Sequence, residues 1–85
     1  MAATVLMYST RTCGYCAAAR RLLKKKRVSF EDIDVGRDPE KRRLMEELSG
    51  RHTVPQIFIN EQPVGGYDDI AALDQAGELD KLLAT

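Results

Sequence analysis

Thr4-Val5-Leu6-Met7-Tyr8-Ser9, followed by Thr10-Arg11-Thr12-Cys13-Gly14-Tyr15-Cys16-Ala17-Ala18-Ala19, is the stretch on which the fold turns. Residues 4–9 are rich in β-branched and aromatic types and short enough for a strand, with residues 1–3 as a frayed start. Residues 13–26 carry Ala17, Ala18, Ala19, Leu22 and Leu23, good helix formers with one apolar face. A helix therefore follows, with Thr12 as its expected N-cap and Arg27 at its end. Strand and helix together deliver two cysteines, three residues apart, to a first helical turn. On one helix face their Cβ atoms lie about 5–6 Å apart, near disulfide geometry.

Outward from this unit, residues 28–34 set Val28, Phe30 and Ile33 among Ser and acidic residues and read as a second strand. Residues 36–38 turn the chain. Asp38 then caps a helix starting at Pro39, with an apolar stripe of Leu44, Met45 and Leu48 and a stop at Ser49-Gly50. Residues 53–59 form a third strand, in which Pro55 leads into Gln56-Ile57-Phe58-Ile59 without an amide donor. A hairpin-like turn at 60–63 precedes a short fourth strand at Val64, closed by Gly65-Gly66. Ile70, Leu73, Leu79, Leu82 and Leu83 mark one or two C-terminal helices, punctuated by Gly77. The order β, α, β, α, β, β, α implies parallel pairing in the first half and antiparallel pairing in the second, an α/β fold on a mixed sheet.

Composition narrows the function classes. A length of 85 residues, 44% hydrophobic and 31% charged, suits one small folded domain and is too apolar for a disordered chain. No apolar run approaches the about 20 residues of a membrane span and no basic leader opens the chain, so a cytoplasmic location without signal peptide is expected. The 13 basic and 13 acidic residues cancel, removing any global pull toward nucleic acid or anionic lipid. Their distribution is uneven, basic over residues 11–27 and acidic over 60–85. The run Arg20-Arg21-Leu22-Leu23-Lys24-Lys25-Lys26-Arg27 has inward leucines and cations that complement a helix C-terminus, so a solvated helix end is the better reading than a nucleic-acid patch.

The chain has two cysteines, too few for a disulfide-built scaffold. Their spacing points to redox chemistry. Cys13, on the first turn, sits where free amides, the helix dipole and the nearby basic residues favour a thiolate, which makes it the nucleophile. Cys16, deeper in the helix, is the resolving thiol. Zinc is a poor alternative, because a closed site wants four ligands and the only histidine, His52, is distant in sequence. For His52 a surface or capping role outweighs catalysis.

Three motifs in order, Cys13-Gly14-Tyr15-Cys16 after the first strand, Thr53-Val54-Pro55 before the third and Gly65-Gly66-Tyr67-Asp68-Asp69 before the next helix, resemble the glutaredoxin family. The likeness is to its short bacterial dithiol members and runs from residue 5 to residue 83. It implies a thioredoxin fold, a four-stranded mixed sheet flanked by helices, with residues 1–85 as a single glutaredoxin domain and a cis peptide before Pro55. It further implies Cys13 and Cys16 as the catalytic pair forming the redox disulfide, and glutathione as co-substrate. Thr53, Val54 and Pro55 would meet the cysteinyl residue of glutathione, Tyr15 would wall the site, and Gly66, Tyr67, Asp68 and Asp69 would take the γ-glutamyl end. A helix N-terminus after Gly66 suits a carboxylate and an Asp suits an ammonium group. Arg37 is the candidate for the glycyl carboxylate. Plainer roles stand beside these: Tyr15 packed on its helix, Asp68 as an N-cap, Arg37 as a solvated loop residue.

Two positions depart from the family pattern. Gly14 stands where Pro is commonest, freeing an amide near the sulfurs, and Thr10 stands where many members carry Lys, with Arg11 one place later as substitute. The activity implied is glutathione-dependent reduction of protein-glutathione mixed disulfides and protein disulfides by a monomer. The alternative, prompted by Gly14, is a dimer holding a [2Fe-2S] cluster through Cys13 of each chain and two glutathiones, an iron-sulfur sensor or carrier. A thioredoxin reduced by a flavoprotein is disfavoured, since that family's motif carries Trp and this chain has none.

Overall fold

Along the central strand β1 (Val5–Ser9), side chains alternate between two faces, as a pleated strand requires. In the computed structural model, which describes residues 3–84, Val5 and Met7 point into one core and Leu6 and Tyr8 into another. The first core joins Ile57 and Ile59 to Ala19, Leu23, Ile70, Leu79 and Leu83 from three helices. The second joins Tyr8 and Phe58, edge to face with centroids 5.7 Å apart, to Val35 and Met45.

The sheet has four strands in the order β2-β1-β3-β4. β1 pairs in parallel with β2 (Glu31–Asp34) and antiparallel with β3 (Gln56–Ile59), which pairs antiparallel with β4 (Gln62–Gly65). Helices α1 (Gly14–Lys25), α3 (Tyr67–Gln75) and α4 (Glu78–Leu83) cover one face, and α2 (Pro39–Ser49) the other. The α2 ends match their signals, with the Asp38 carboxylate accepting the Lys41 amide at 3.1 Å and Gly50 left-handed at φ 72°.

Several boundaries move. β2 starts at Glu31 because Arg27, at φ 59°, swings the chain out of α1, and Val28 and Phe30 pack on the core without joining the ladder. β3 starts at Gln56, leaving Thr53, Val54 and Pro55 as a loop. β4 spans Gln62–Gly65 rather than Val64 alone, because the hairpin turn is only Asn60-Glu61. Both turn residues have positive φ, 51° and 67°, matching the twist of a two-residue hairpin. Pro63 is tolerated because β4 is an edge strand. Gly77, at φ 76°, splits the C-terminal segment into two helices. Ala3 is buried and donates its amide to the Leu83 carbonyl at 3.2 Å, so it is docked rather than frayed, while residues 1 and 2 lie outside the described residues.

The basic run of α1 is not wholly a solvated face. Lys26 pairs with Asp74 and Asp80, tying the C-terminal end of α1 to α3 and α4, and Arg20 pairs with Asp32 on β2. Among the described residues no helix is long and apolar enough to cross a membrane.

Candidate active site

Helix α1 begins immediately after Cys13, whose extended backbone (φ −95°, ψ 116°) makes it the N-cap in place of Thr12. Its Sγ accepts the Cys16 backbone N–H at 3.1 Å, the bond a capping oxygen usually takes. The same sulfur lies 3.7 Å from the Val54 carbonyl, to which a thiol there donates. Cys13 is half-buried, whereas Cys16 is wholly buried at 0% exposure, and both are free thiols. Burial first, and the hydrogen bond with Cys13 second, push the Cys16 thiol up to about 12. One sulfur is thus reachable, and the other is held protonated behind it.

The loop facing Cys13 is held from below. The Val54–Pro55 peptide is cis, and Gln56, 1% exposed, donates its side-chain amide to the Thr53 carbonyl at 3.0 Å and the Thr53 hydroxyl at 3.2 Å. This buried anchor had no sequence signal beyond a glutamine where a strand core wants an apolar residue. Across the cleft the loop meets Gly66, where a Cβ would lie 3.2 Å from the Pro55 carbonyl oxygen.

Gly66, not Asp68, is the N-cap of α3. Its N–H donates to the Asp69 carboxylate at 2.9 Å, and Arg51 Nη1 donates to the same oxygen at 2.8 Å. The Gly66 N–H foremost, then Arg51, hold the Asp69 carboxyl below its ordinary range. Gly65, at φ +107°, has no room for a side chain: its Cβ would fall 2.9 Å or less from three Asp69 side-chain atoms. Asp68 is exposed and its side chain takes no part in the cap.

The structure brings Tyr15, Thr53, Val54, Pro55, Gly66, Tyr67, Asp68 and Asp69 around one hollow of about 310 Å³. Tyr15 stands 63% exposed at its rim rather than packed on α1. Arg11 and Arg37 line a second hollow of about 220 Å³ with Thr10 and Gly36, where Arg11 pairs with Asp34 at 3.2 Å. Arg51 lines the first hollow and was missed from sequence; its one signal is that it lies two residues before Thr53 in the same loop. His52 contributes its carbonyl to Arg42 at 2.7 Å. A larger cavity of about 810 Å³, between Ala3, Phe30 and Leu48, lies toward the opposite end of β1. Among the described residues no three His, Cys, Asp or Glu side chains converge as metal ligands.

A mixed four-stranded sheet with two cysteines at a helix N-terminus, facing a loop built on a cis proline, defines a thioredoxin-fold dithiol protein. The glutaredoxin family model matches residues 5–64. The chain is 49% identical over 81 residues to glutaredoxin 3 of Escherichia coli strain K12, covering 95% of this chain and 98% of that one. It is 46% identical over 80 residues to a glutaredoxin of Pseudomonas aeruginosa, with 94% and 95% covered. Among solved structures, a Brucella melitensis glutaredoxin matches with TM-score 0.85 at 48% identity, covering 96% of this chain and 89% of that one. A buckwheat glutaredoxin-glutathione complex shares the fold at TM-score 0.89 and 22% identity, with 96% and 77% covered. The chain belongs to the glutaredoxin family, and its paired cysteines make it a thiol-disulfide oxidoreductase.

Proposed function

We propose that the protein is a glutathione-dependent oxidoreductase that reduces protein-glutathione mixed disulfides and protein disulfides. The observation that carries this is the asymmetry of the thiols: Cys13 is reachable beside the Val54 carbonyl, and Cys16 is sealed behind it. The Cys13 thiolate attacks the glutathione sulfur of a mixed disulfide; the new bond is Cys13 to glutathione, and the target leaves as a thiolate that takes a proton from water. A second glutathione thiolate attacks the glutathione sulfur on Cys13, releasing Cys13 and glutathione disulfide. For a protein disulfide, Cys16 displaces the target from Cys13, and two glutathiones then reduce the Cys13–Cys16 bond.

The first hollow suits glutathione. The Val54 backbone, in the loop outside the β3 ladder, can pair with the cysteinyl residue, and the α3 N-terminus can take the γ-glutamyl carboxylate. Asp69 is already committed to Gly66 and Arg51, so exposed Asp68 is the free acid for the ammonium group. Arg11 and Arg37, in the neighbouring hollow, are the cations for the glycyl carboxylate. The buckwheat glutaredoxin that shares this fold forms a complex with glutathione, which supports this choice of thiol. The protein acts as a monomer and a single domain over residues 1–85, in the cytoplasm, on glutathionylated or disulfide-containing proteins.

Glutathione-coupled turnover of a glutathionylated peptide by wild type, Cys13→Ser and Cys16→Ser tests the reading. Activity lost only with Cys13→Ser supports it. No turnover by the wild type, with a coloured dimer after anaerobic iron and sulfide reconstitution, transfers the assignment to the [2Fe-2S] carrier.

A further inference from the structure

Three polar side chains close a ring against the face of α1 that carries Cys16. Ser9, the last residue of β1 and 1% exposed, donates its hydroxyl to one Asp32 oxygen and accepts from Arg20 Nη2 at 2.9 Å. Arg20 Nε donates to the other Asp32 oxygen at 2.6 Å. The guanidinium meets carboxylate and hydroxyl at once, a two-point hold that fixes where its charge sits. Arg20 follows Cys16 by four residues on one helix, so the two share a face with Cβ atoms about 5–6 Å apart. Cys16 feels that charge: burial raises its thiol most, and the Thr10 backbone and then Arg20 pull the other way.

Exchange at Cys13 draws less on this ring, because Cys13 takes its hydrogen bond from the Cys16 amide and Arg20 feels the charge of Cys16 ahead of that of Cys13. Resolution draws on it more, since it must take a thiolate from a sealed thiol. We propose that Arg20, pinned by Asp32 and Ser9, is a positioning residue for Cys16, its fixed charge stabilising the thiolate that resolves a mixed disulfide. In this step Cys16 gives its proton to water and attacks the Cys13 sulfur. The Cys13–Cys16 bond forms, the bond from Cys13 to the target sulfur breaks, and the target keeps the electron pair and takes a proton. Over both exchanges the substrate disulfide gains two electrons and the cysteine pair loses two. The inference rests on the two-cysteine route proposed above.

The test compares wild type, Arg20→Met, Arg20→Lys and Cys16→Ser on two substrates with glutathione as reductant: a glutathionylated peptide, which needs Cys13 alone, and the disulfides of insulin. The readout is the ratio of insulin reduction to peptide turnover. Removing the charge lowers the Cys16 thiolate fraction and higher nucleophilicity returns part of the loss, so Arg20→Met lowers the ratio, on the order of two- to threefold. Arg20→Lys, which keeps the charge, restores most of it. Equal loss on both substrates in Arg20→Met, or a ratio that Lys leaves low, overturns the proposal and makes the ring a clamp between α1 and β2. Equal insulin reduction by wild type and Cys16→Ser overturns the two-cysteine route itself, and with it the step assigned to Arg20.

Discussion

The Cys16 backbone N–H donates to Cys13 Sγ at 3.1 Å while the Cys16 side chain is fully enclosed, so the two thiols of one motif live in opposite environments. The Cys13 backbone is extended at the N-cap, outside the helix, so its sulfur stays at the mouth of the site, whereas Cys16 lies on the buried face of α1 with Ala19 and Leu23. With the Cys16 thiol pushed up to about 12 by burial, it stays protonated at pH 7. Brief iodoacetamide treatment of the reduced protein at pH 7 should add a single carbamidomethyl group, on Cys13. Cys16 should react only after denaturation, and peptide mass spectrometry reads both. Equal labelling of the native thiols would show that Cys16 is not sealed.

Asp69 supplies a stability term with a definite sign. Its carboxyl is held below the ordinary 3.8 by the Gly66 amide and Arg51, so the contribution is complete above that value and is lost as pH falls through the folded-state pKa. Asp69→Asn keeps a capping oxygen and removes the charge, at about 0.5–1 kcal/mol near neutral pH given the partial exposure of the pair. Thermal melts from pH 7 to pH 3 should show the gap between wild type and variant closing on the acid side. A gap independent of pH would mean that the carboxylate charge does not hold the Gly66 turn.

Gly65 is fixed by the same carboxylate. At φ +107°, with a Cβ placed 2.3 Å from Asp69 Oδ2, alanine there meets both backbone strain and a clash. Gly65→Ala should cost about 1–3 kcal/mol in chemical denaturation. Asp69 must swing aside, so the variant should also raise KM for glutathione more than it lowers kcat, as read by steady-state turnover. An unchanged KM would separate the Asp69 cap from the glutathione site.

Much of this was legible in the chain. The Asp38-Pro39 start and Gly50 end of α2, the mixed sheet and the cysteine-bearing helix all follow from local signals that the tertiary structure leaves intact. The misread boundaries fall where tertiary contacts decide. Nothing local says that Arg27 takes positive φ, that Ala3 docks on Leu83, or that Asn60-Glu61 turns alone. At the site, the motifs found the residues around the main hollow, but the division of labour between Asp68 and Asp69 depends on Arg51, 18 residues away in sequence. Arg20 was hidden in a basic run, where only the positions of Ser9 and Asp32 on neighbouring strands mark it out.

Gly14, the departure from the commonest family motif, is structurally replaceable. It occupies the first position of α1, where the amide has no intrahelical partner to lose and proline's fixed φ suits the helix. A Cβ there meets nothing within 4 Å. The preceding residue, Cys13, already has the extended conformation, φ −95° and ψ 116°, that a following proline demands. Gly14→Pro therefore restricts the unfolded chain without straining the folded one, a gain of about 0.4–1 kcal/mol, or about 2–6 °C in a domain of this size. A thermal scan of the reduced proteins checks this. A lower Tm in the proline variant would show that the Gly14 amide has a partner that the folded protein needs, and that the glycine is held at this position by the site rather than tolerated there.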